Sequence, residues 1–248
     1  MRTVRAELGA RSYDIRVGAG LLAQAAGWLK ELGFDGKLVI ITDPMVKRLH
    51  GDRLADDLSA AGFNVISLVV AGGEANKSLD NAARLYRELM SFFAERSTPI
   101  LAVGGGIIGD LAGFVASTYL RGVPFVQVPT TLLAQVDAGI GGKTAVNHGD
   151  IKNNIGTFYQ PRLVIADTDV LKTLPEAEIL NGLAEVIKSA AIADKDFFTF
   201  LEANLKDPGS VDASMREEIV FRCARIKAGI VAADERDLGQ RHILNYGH

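Results

Sequence analysis

Ten residues at positions 101–110, LAVGGGIIGD, have the composition of a phosphate-binding turn. An apolar run typical of a buried strand ends at Val103, three glycines follow, and the sequence IIGDLAGFVASTYL is typical of a helix. Backbone N–H groups and the positive end of a helix dipole would meet at this turn, and together they favour a phosphate or pyrophosphate. The spacing Gly104-x-Gly106-x-x-Gly109 fits the dinucleotide fingerprint, which is weak by itself. A tight glycine turn without a ligand is the alternative interpretation.

Asp43 is the second candidate, because it ends the predicted strand KLVIITD. Ligands of open α/β sheets bind beyond the carboxyl ends of the strands, where a carboxylate accepts bonds from ribose hydroxyls. An N-cap for the following helix explains Asp43 equally well. The usual fingerprint places its acid about twenty residues after the glycines, and the sequence there, FVQVPTT, contains none. An ordinary Rossmann arrangement is therefore not predicted, and any ribose-binding acid comes from earlier in the chain.

The third candidate is the glycine-rich segment 128–156. Hydroxyl, amide and ammonium groups around flexible glycines suit a phosphorylated ligand. GGKT is not a P-loop, since Asp137 stands where the first glycine of that pattern is required. We expect a functional loop, because loops of this length in compact domains usually carry function, and a solvated loop is the alternative. The polar residues concerned are Thr130, Thr131, Asp137, Lys143, Lys152 and Asn153.

Glu185 and Lys188 lie one helical turn apart in NGLAEVIKSA. A surface ion pair is the commoner event, but the apolar flanking residues favour a partly buried cleft. Towards the C-terminus, Arg241, Asn245 and His248 would share one face if that segment is helical. A helix-borne His beside a carboxylate could hold a divalent metal, although a lone His is more often structural. Glu185 and His248 alone would leave a zinc site short of a third ligand.

The elements that must position these residues are strands and helices in alternation. Continuous apolar strands in a βαβα order indicate a mostly parallel sheet covered on both faces. The predicted strands are TVRAEL and SYDIRV, which form a hairpin, then KLVIITD, NVISLVV, PILAV, PFVQVP and RLVIADT. The predicted helices between them are GLLAQAAGWLKELG, residues 45–61, SLDNAARLYRELMSFFAER and IIGDLAGFVASTYL.

The pattern becomes almost entirely helical after about residue 170. The predicted helices there are PEAEILNGLAEVIKSAAIAD, DFFTFLEANLK and a long segment from Asp212 to about Ala233. We therefore expect a Rossmann-like α/β domain over residues 1–170, followed by an all-α domain over residues 171–248.

Composition limits the environment and partners of the chain. The net charge of −3 over 248 residues gives no reason to expect nucleic acid or an anionic membrane as a partner. Cys223 is the only cysteine and cannot form an intrachain disulfide, which favours a reducing cytoplasm. The N-terminal residues scatter charges where a signal peptide would need an apolar core.

One apolar stretch, residues 100–120, imitates a membrane span. Its single charge, Asp110, would cost roughly 2.5–3.5 kcal/mol in mid-bilayer. A buried strand and a buried helix explain the same apolarity at lower cost. We then expect Asp110 in the first turn of the helix, where the dipole favours it.

Taken together, the clusters resemble the sugar phosphate cyclases, and specifically their 3-dehydroquinate synthase branch. The matching strings lie between residues 43 and 248 in the family's order. They are GEANKSL, GGGIIGDLAGFVASTYLRG, VPTTLLAQVDAGIGGKTAVN, IKNNIGTFYQP, LKTLP, NGLAEVIK, DERDLGQR and LNYGH. The resemblance implies an NAD-binding α/β domain, a helical domain, an active site between them, and a divalent metal, most often zinc, with cobalt as the alternative.

The resemblance also implies roles for individual residues. The implied NAD contacts are Asp43, Glu74, Lys77, Gly105, Gly106, Asp110, Thr130, Thr131, Asp137, Lys143, Lys152 and Thr173. The implied substrate-binding and catalytic residues are Arg121, Lys143, Asn153, Lys188, Lys227, Arg241 and Asn245. The implied metal ligands are Glu185 and His248, and the family's third ligand, a further histidine, would lie beyond residue 248. We therefore expect the natural polypeptide to continue. Asp237 stands where the family usually has Glu.

The implied reaction converts 3-deoxy-arabino-heptulosonate 7-phosphate into 3-dehydroquinate and phosphate in a cytoplasmic homodimer. Transient oxidation by NAD, phosphate elimination, re-reduction and aldol closure take place in one pocket. Three alternatives remain open. They are another cyclase making a valiolone-like or aminocyclitol precursor, a metal-dependent polyol dehydrogenase, and a non-catalytic NAD-binding module.

Overall fold

A computed structural model provides the structure and describes residues 1–205 and 211–247. The strands are β1 Arg2–Ala6, β2 Tyr13–Gly18, β3 Lys37–Thr42, β4 Asn64–Val69, β5 Ile100–Gly104, β6 Phe125–Pro129, β7 Lys143–His148, β8 Ile151–Phe158 and β9 Leu163–Asp167. Within the described residues, seven of them form a sheet in the order β1-β2-β9-β6-β5-β3-β4, and β7 and β8 form a separate hairpin. Every pairing in the large sheet is parallel except that of β1 with β2. The mostly parallel sheet is therefore confirmed.

The helices follow the predicted order. They are α1 Ala25–Glu31, α2 Pro44–Val46, α3 Asp52–Ala60, α4 Leu79–Ser91, α5 Gly106–Thr118, α6 Glu176–Ala193, α7 Lys195–Asn204 and α8 Ala213–Ala233. A π-turn over Lys47–Gly51 joins α2 to α3. The predicted segment for α4 extended to residue 96, five residues beyond the observed end at Ser91. The helix stops because Phe93 adopts a left-handed backbone with φ of 54°.

The parallel strands are apolar along their whole length because both faces of the sheet are covered. All five residues of β5 are buried, and so are all five of β6 and of β9. One face packs against α4 and α5, and the other packs against α1 and α3.

Helix α5 lies unusually close to its neighbours. A Cβ built on Gly109 would lie 2.9 Å from the side-chain amide of Gln127 in β6, and one on Gly113 would lie 2.4 Å from Thr144 Cγ2 in β7. Glycine at these positions therefore lets the helix that follows the glycine turn pack directly on the sheet and on the hairpin.

The expectation for Asp110 was wrong in one respect. Helix α5 begins at Gly106, so Asp110 is its fifth residue and lies beyond the first turn. The dipole effect falls off within that turn. Lys77 stabilises the carboxylate instead, with Nζ 2.5 Å from Asp110 Oδ2.

Residues 128–156 do not form the predicted loop. After β6 the chain makes a short π-turn over Ala134–Ala138 and then enters the β7–β8 hairpin. These strands gave no strand signal because most of β8 is exposed and rich in Asn and Gly. The polar residues of this segment are therefore held on a hairpin.

The helical part packs directly on the sheet. Val4 and Ile15 from β1 and β2 share one buried core with Val186 of α6 and Val220 of α8. The helical character after β9 agrees with the sequence pattern, whereas the domain boundary at residue 170 stays a prediction. Among the described helices, none is long and apolar enough to cross a membrane.

Candidate active site

The glycine turn lies at the carboxyl end of β5, beside β3. Strands β5 and β3 are neighbours in the sheet. The strand that follows β3 in the chain, β4, lies beside β3, whereas the strand that follows β5, β6, lies on the opposite side of the β5–β3 pair. This reversal opens the crevice in which α/β sheets bind ligands. Helix α5 begins there at Gly106, and no side chain among the described residues caps it. Its first N–H groups can therefore serve a bound anion.

Two threonines follow the neighbouring strand β6 at the same edge. The Thr130 N–H donates to Gly104 O at 2.9 Å, which ties the two strand ends together. Thr131 Oγ1 accepts from Ala134 N at 3.1 Å. The buried Thr130 Oγ1 has no hydrogen-bond partner within the described residues. A buried hydroxyl without a partner is costly, so it fits a site that a ligand completes.

Asp43 caps α2, as one of its two interpretations proposed. Its Oδ1 accepts from Met45 N at 2.9 Å and from Val46 N at 3.0 Å. Both bonds use the same oxygen, so the cap does not conflict with a ribose contact through the other oxygen.

A polar network joins the segment before α4 and the helix α5 to the β7–β8 hairpin. Lys77 is buried, and its ammonium donates to both Asp110 and Asn153. Asn147 Nδ2 donates to Glu74 Oε1 at 2.8 Å. Burial raises the pKa of Asp110 more than the nearby Lys77 ammonium lowers it. The network therefore brings four predicted cofactor or substrate residues, which lie far apart in the sequence, into contact.

A cavity of about 650 Å³ adjoins this network. It lies between the hairpin, α5 and the segment after α8. Six of the predicted site residues line it, together with three charged or amide residues that were not predicted as site residues, Asn154, Arg236 and Asp237. The charged and amide side chains of its lining are Asp110, Asp137, Lys143, Asn153, Asn154, Lys227, Arg236, Asp237 and Arg241.

Lys227 of α8 is the most deeply buried ammonium of this lining. Its Nζ donates to Asp137 Oδ1 at 2.5 Å and to the Asp137 carbonyl at 2.7 Å. Burial lowers the pKa of Lys227, and the Asp137 carboxylate opposes that change. The charge is therefore held in a poorly solvated place, where it interacts more strongly with an anion than it would in water.

Lys143 and Arg241 are held differently. Lys143 begins β7 and forms an ion pair with Asp237. Arg241 is almost fully buried, and its guanidinium donates to Glu235 O at 2.8 Å and to Gly141 O at 3.1 Å. The buried Arg241 Nε has no hydrogen-bond partner among the described residues. Arg241 therefore supports the main chain from within the cavity lining, and its substrate-binding role stays a prediction.

The turn before Lys143 is held by hydrogen bonds to Tyr13 and Arg241. Gly141 has φ of +96°, which favours glycine, and its N–H donates to Tyr13 Oη at 3.1 Å while its carbonyl accepts from Arg241. Burial raises the pKa of Tyr13 to about 12. Tyr13 gave no functional signal in the sequence because it reads as one inward-facing residue of a strand.

Tyr13→Phe is expected to lower the free energy of unfolding at neutral pH by about 1–2 kcal/mol, because the buried Gly141 N–H loses its acceptor. The folded pKa of Tyr13 lies above its ordinary value of 10.0. Its stabilisation is therefore present below pH 10 and is lost as pH rises towards 12. Denaturant unfolding at several pH values should show the wild-type advantage shrinking over this range. A constant difference between the two proteins would contradict the assignment.

Comparison with known proteins agrees with this geometry. The family model for the 3-dehydroquinate synthase N-terminal region matches residues 67–181, and the model for its C-terminal region matches residues 182–248. A 3-dehydroquinate synthase from Dehalococcoides mccartyi is 50% identical over 248 residues, which is 100% of this chain and 69% of the relative. The chain belongs to the 3-dehydroquinate synthase family.

Two solved structures of sugar phosphate cyclases are also similar. One is 2-deoxy-scyllo-inosose synthase complexed with carbaglucose-6-phosphate, NAD+ and Co2+. It has a TM-score of 0.92 and 29% identity, and the match covers 100% of this chain and 67% of that one. The other is 2-epi-5-epi-valiolone synthase from Streptomyces hygroscopicus with NAD+ and Zn2+, with a TM-score of 0.86, 28% identity, and coverage of 100% and 68%. Glycerol dehydrogenase from Schizosaccharomyces pombe, at 22% identity and a TM-score of 0.67, shares the fold alone; that match covers 86% of this chain and 59% of the dehydrogenase.

Among the residues implied by the family resemblance that do not line the cavity are Arg121, Lys152, Thr173 and Asn245. Arg121 is exposed in the turn after α5, with φ of 67°. Lys152 lines a second cavity of about 560 Å³ together with Glu74. Thr173 Oγ1 lies 3.0 Å from His50 Nε2 and donates to Val170 O. Asn245 is exposed at the end of a 3₁₀ segment, Gln240–Asn245.

The segment Gln240–Asn245 explains why one prediction failed. A face shared by Arg241 and Asn245 requires 3.6 residues per turn, whereas a 3₁₀ helix has three. Leu244 is therefore buried on the same side as Arg241, and Asn245 faces outward. His248 lies outside the described residues.

The metal proposal rests on Glu185 alone within the described residues. Its carboxylate is mostly buried and forms an ion pair with Lys188 one turn later. The partly buried pair is therefore confirmed. The charges of Glu185, Lys188 and Asp137 also act on the buried Cys223 thiol, whose pKa is raised mainly by burial. Residues 1–205 and 211–247 contain no group of three or more His, Cys, Asp or Glu side chains that could hold a metal ion. They do not by themselves form a metal site.

Proposed function

We propose that this chain catalyses the conversion of 3-deoxy-arabino-heptulosonate 7-phosphate into 3-dehydroquinate and phosphate, as a carbon–oxygen lyase of the shikimate route to aromatic amino acids. The observation that carries the proposal is the cavity beside the glycine turn. Four cationic side chains line it, Lys143, Lys227, Arg236 and Arg241, and it adjoins the crevice at the end of β5. The substrate carries a carboxylate and a phosphate, and the four cations outnumber the three carboxylates of the lining, Asp110, Asp137 and Asp237, so the lining favours an anionic ligand.

The crevice at the N-terminus of α5 is proposed to bind NAD. The uncapped N–H groups of α5 suit the pyrophosphate, and the Thr130 hydroxyl and Asp43 lie at the same edge. Bound NAD would supply the transient oxidation of the substrate's C5 hydroxyl, which acidifies the C6 proton for elimination of phosphate, and the later return of the hydride. The relatives of known structure were solved with NAD+, which supports the assignment.

The chain's own residues would position the substrate and stabilise charge. Lys227 is fixed by Asp137, and Lys143 is fixed by Asp237, so both ammonium groups face the cavity without having to reorganise. Fixed donors aimed at a developing negative charge are among the largest contributions to catalysis. The Lys77–Asp110–Asn153 network would hold the hairpin in place over the bound polyol.

A divalent metal, zinc in preference to cobalt, is proposed to bind Glu185 and His248. The proposal is supported by the family match and by the metals of the two related structures, Co2+ and Zn2+. A homodimer is proposed on the family resemblance, and a cytoplasmic location on the single cysteine of the sequence.

Phosphate release from a panel of sugar phosphates, with NAD and zinc present, tests the function. We expect release from the heptulosonate phosphate and none from sedoheptulose 7-phosphate or glucose 6-phosphate. The matches to two other cyclases make these the relevant rivals. Turnover of either rival substrate alone would replace the proposal with a valiolone-type or aminocyclitol cyclase. Net NADH from glycerol without phosphate release would indicate a polyol dehydrogenase, and NAD binding in calorimetry without turnover would indicate a binding module.

A further inference from the structure

Another cavity, of about 340 Å³, lies at the edge of the sheet opposite to the glycine turn. Its lining includes residues that directly precede three of the strands, Ser12 before β2, Pro124 before β6 and Arg162 before β9, and also Arg96, four residues before β5. The five residues of β5 separate this edge from the glycine turn by about 15 Å. We call it the amino-edge cavity, because these four mutually parallel strands begin there.

The charged side chains of the amino-edge cavity are all cationic. Arg11, Arg96 and Arg162 line it, and the described residues of its lining include no Asp or Glu. Arg11 bonds to Glu235, which lies outside the lining. Within the described residues, the side chains of Arg96 and Arg162 form neither a hydrogen bond nor an ion pair. A chain with a net charge of −3 therefore leaves two guanidinium groups without an acid at one cavity, and the lining favours an anion from outside.

The wall of the amino-edge cavity beside Arg162 is fixed by hydrogen bonds of Tyr159. Its hydroxyl donates to Val123 O at 2.7 Å, and its backbone N–H donates to Gly142 O at 2.7 Å. Burial raises the pKa of Tyr159, and the charge of Arg162 opposes this change, so the guanidinium lies near the Tyr159 hydroxyl. The wall is therefore formed before any ligand binds, which lowers the ordering cost of binding.

We propose that the amino-edge cavity binds a small oxyanion with two or more negative charges, a phosphate or a polycarboxylate, at a site separate from the crevice beside the glycine turn. Arg96 and Arg162 each offer a planar fork of N–H donors that matches two oxygens of such a group. Because neither has an internal partner, binding breaks no existing bond. The inference goes beyond the proposed function, since it depends neither on NAD nor on the sugar substrate.

NMR signals of the guanidinium groups test the site directly, because Arg96 and Arg162 can be followed apart from the cations of the other cavity. The probes are inorganic phosphate, citrate and acetate, with the ionic strength held constant by sodium chloride. We expect phosphate or citrate to shift both signals with one shared Kd, and acetate to bind at least about 10-fold more weakly. Arg96→Ala should weaken the binding read at Arg162 by about 10-fold, and Arg96→Lys should recover part of the loss. Arg87→Ala is the matched control and should equal wild type, because Arg87 of α4 is exposed, forms no ion pair within the described residues and lies outside the lining.

Tighter binding of phosphate than of citrate would assign the site to phosphorylated ligands, and the reverse order would assign it to polycarboxylates. Three outcomes would overturn the inference. They are the absence of shifts with either probe at millimolar concentrations, shifts no larger than those caused by chloride, and unchanged affinity in Arg96→Ala. A change in oligomeric state of Arg96→Ala by sedimentation, without anion binding in wild type, would instead assign the arginines to an interface between two copies of the chain.

Discussion

Lys227→Met is expected to reduce the rate of phosphate release by about 100-fold, because it removes a fixed cation from a poorly solvated cavity. Lys227 is 7% exposed and bonds twice to Asp137. The substitution is also expected to lower the free energy of unfolding by roughly 2 kcal/mol. This figure is below the usual range for fully buried pairs, since the Asp137 side chain is 25% exposed and water screens part of the interaction.

Initial rates and denaturant unfolding measure the two effects of Lys227→Met separately. Lys195→Met is a suitable control, because Lys195 is exposed at the start of α7 and lies outside the cavity lining. Lys227→Arg keeps the charge but changes its shape, so it should recover stability more fully than activity. Activity of Lys227→Met within threefold of wild type would remove Lys227 from the proposed chemistry.

Gly113→Ala has the second largest expected effect. The added Cβ would lie 2.4 Å from Thr144 Cγ2 and 3.1 Å from the Phe125 ring. Thr144 cannot rotate away cheaply, because its hydroxyl bonds to Thr157 in the hairpin. We expect a loss of about 1–3 kcal/mol in stability, since overpacking displaces a tightly packed contact. We also expect phosphate release to fall more than about 10-fold, because the displaced hairpin carries Lys143 and Asn153.

The chain offers a matched control for this substitution. Gly229 lies in α8, four residues before its last residue, and has no atom within 4 Å of a built Cβ. Gly229→Ala is therefore expected to stabilise the protein by up to about 1 kcal/mol through helix propensity. Thr144→Ser in the Gly113→Ala background removes the clashing methyl group and should restore part of the activity. Equal thermal stability of Gly113→Ala and Gly229→Ala would show that α5 and the hairpin are not in tight contact.

Local patterns were enough for the sequence to determine much of the architecture. Continuous apolar runs identified the parallel strands, since a strand covered on both faces has no exposed positions. The predicted helical segment from Asp212 to about Ala233 agrees with α8, Ala213–Ala233, which Asp212 caps. The glycine turn at Gly104–Gly106 was also predicted from a local pattern, because a change from strand to helix depends on residues that are adjacent in the sequence.

Contacts between distant parts of the chain were decided only by the tertiary structure. The sequence of the β7–β8 hairpin has no periodic apolar pattern. The hairpin is stabilised instead by its packing on α5 and by the hydrogen bond from Lys77 to Asn153. The pairing of Lys227 with Asp137 joins residues 90 positions apart. Such pairings decide which cations of the cavity lining already have an acidic partner. Residue types and spacing therefore determined the kind of chemistry available, whereas the electrostatic state of each group was set by neighbours that only folding brings together.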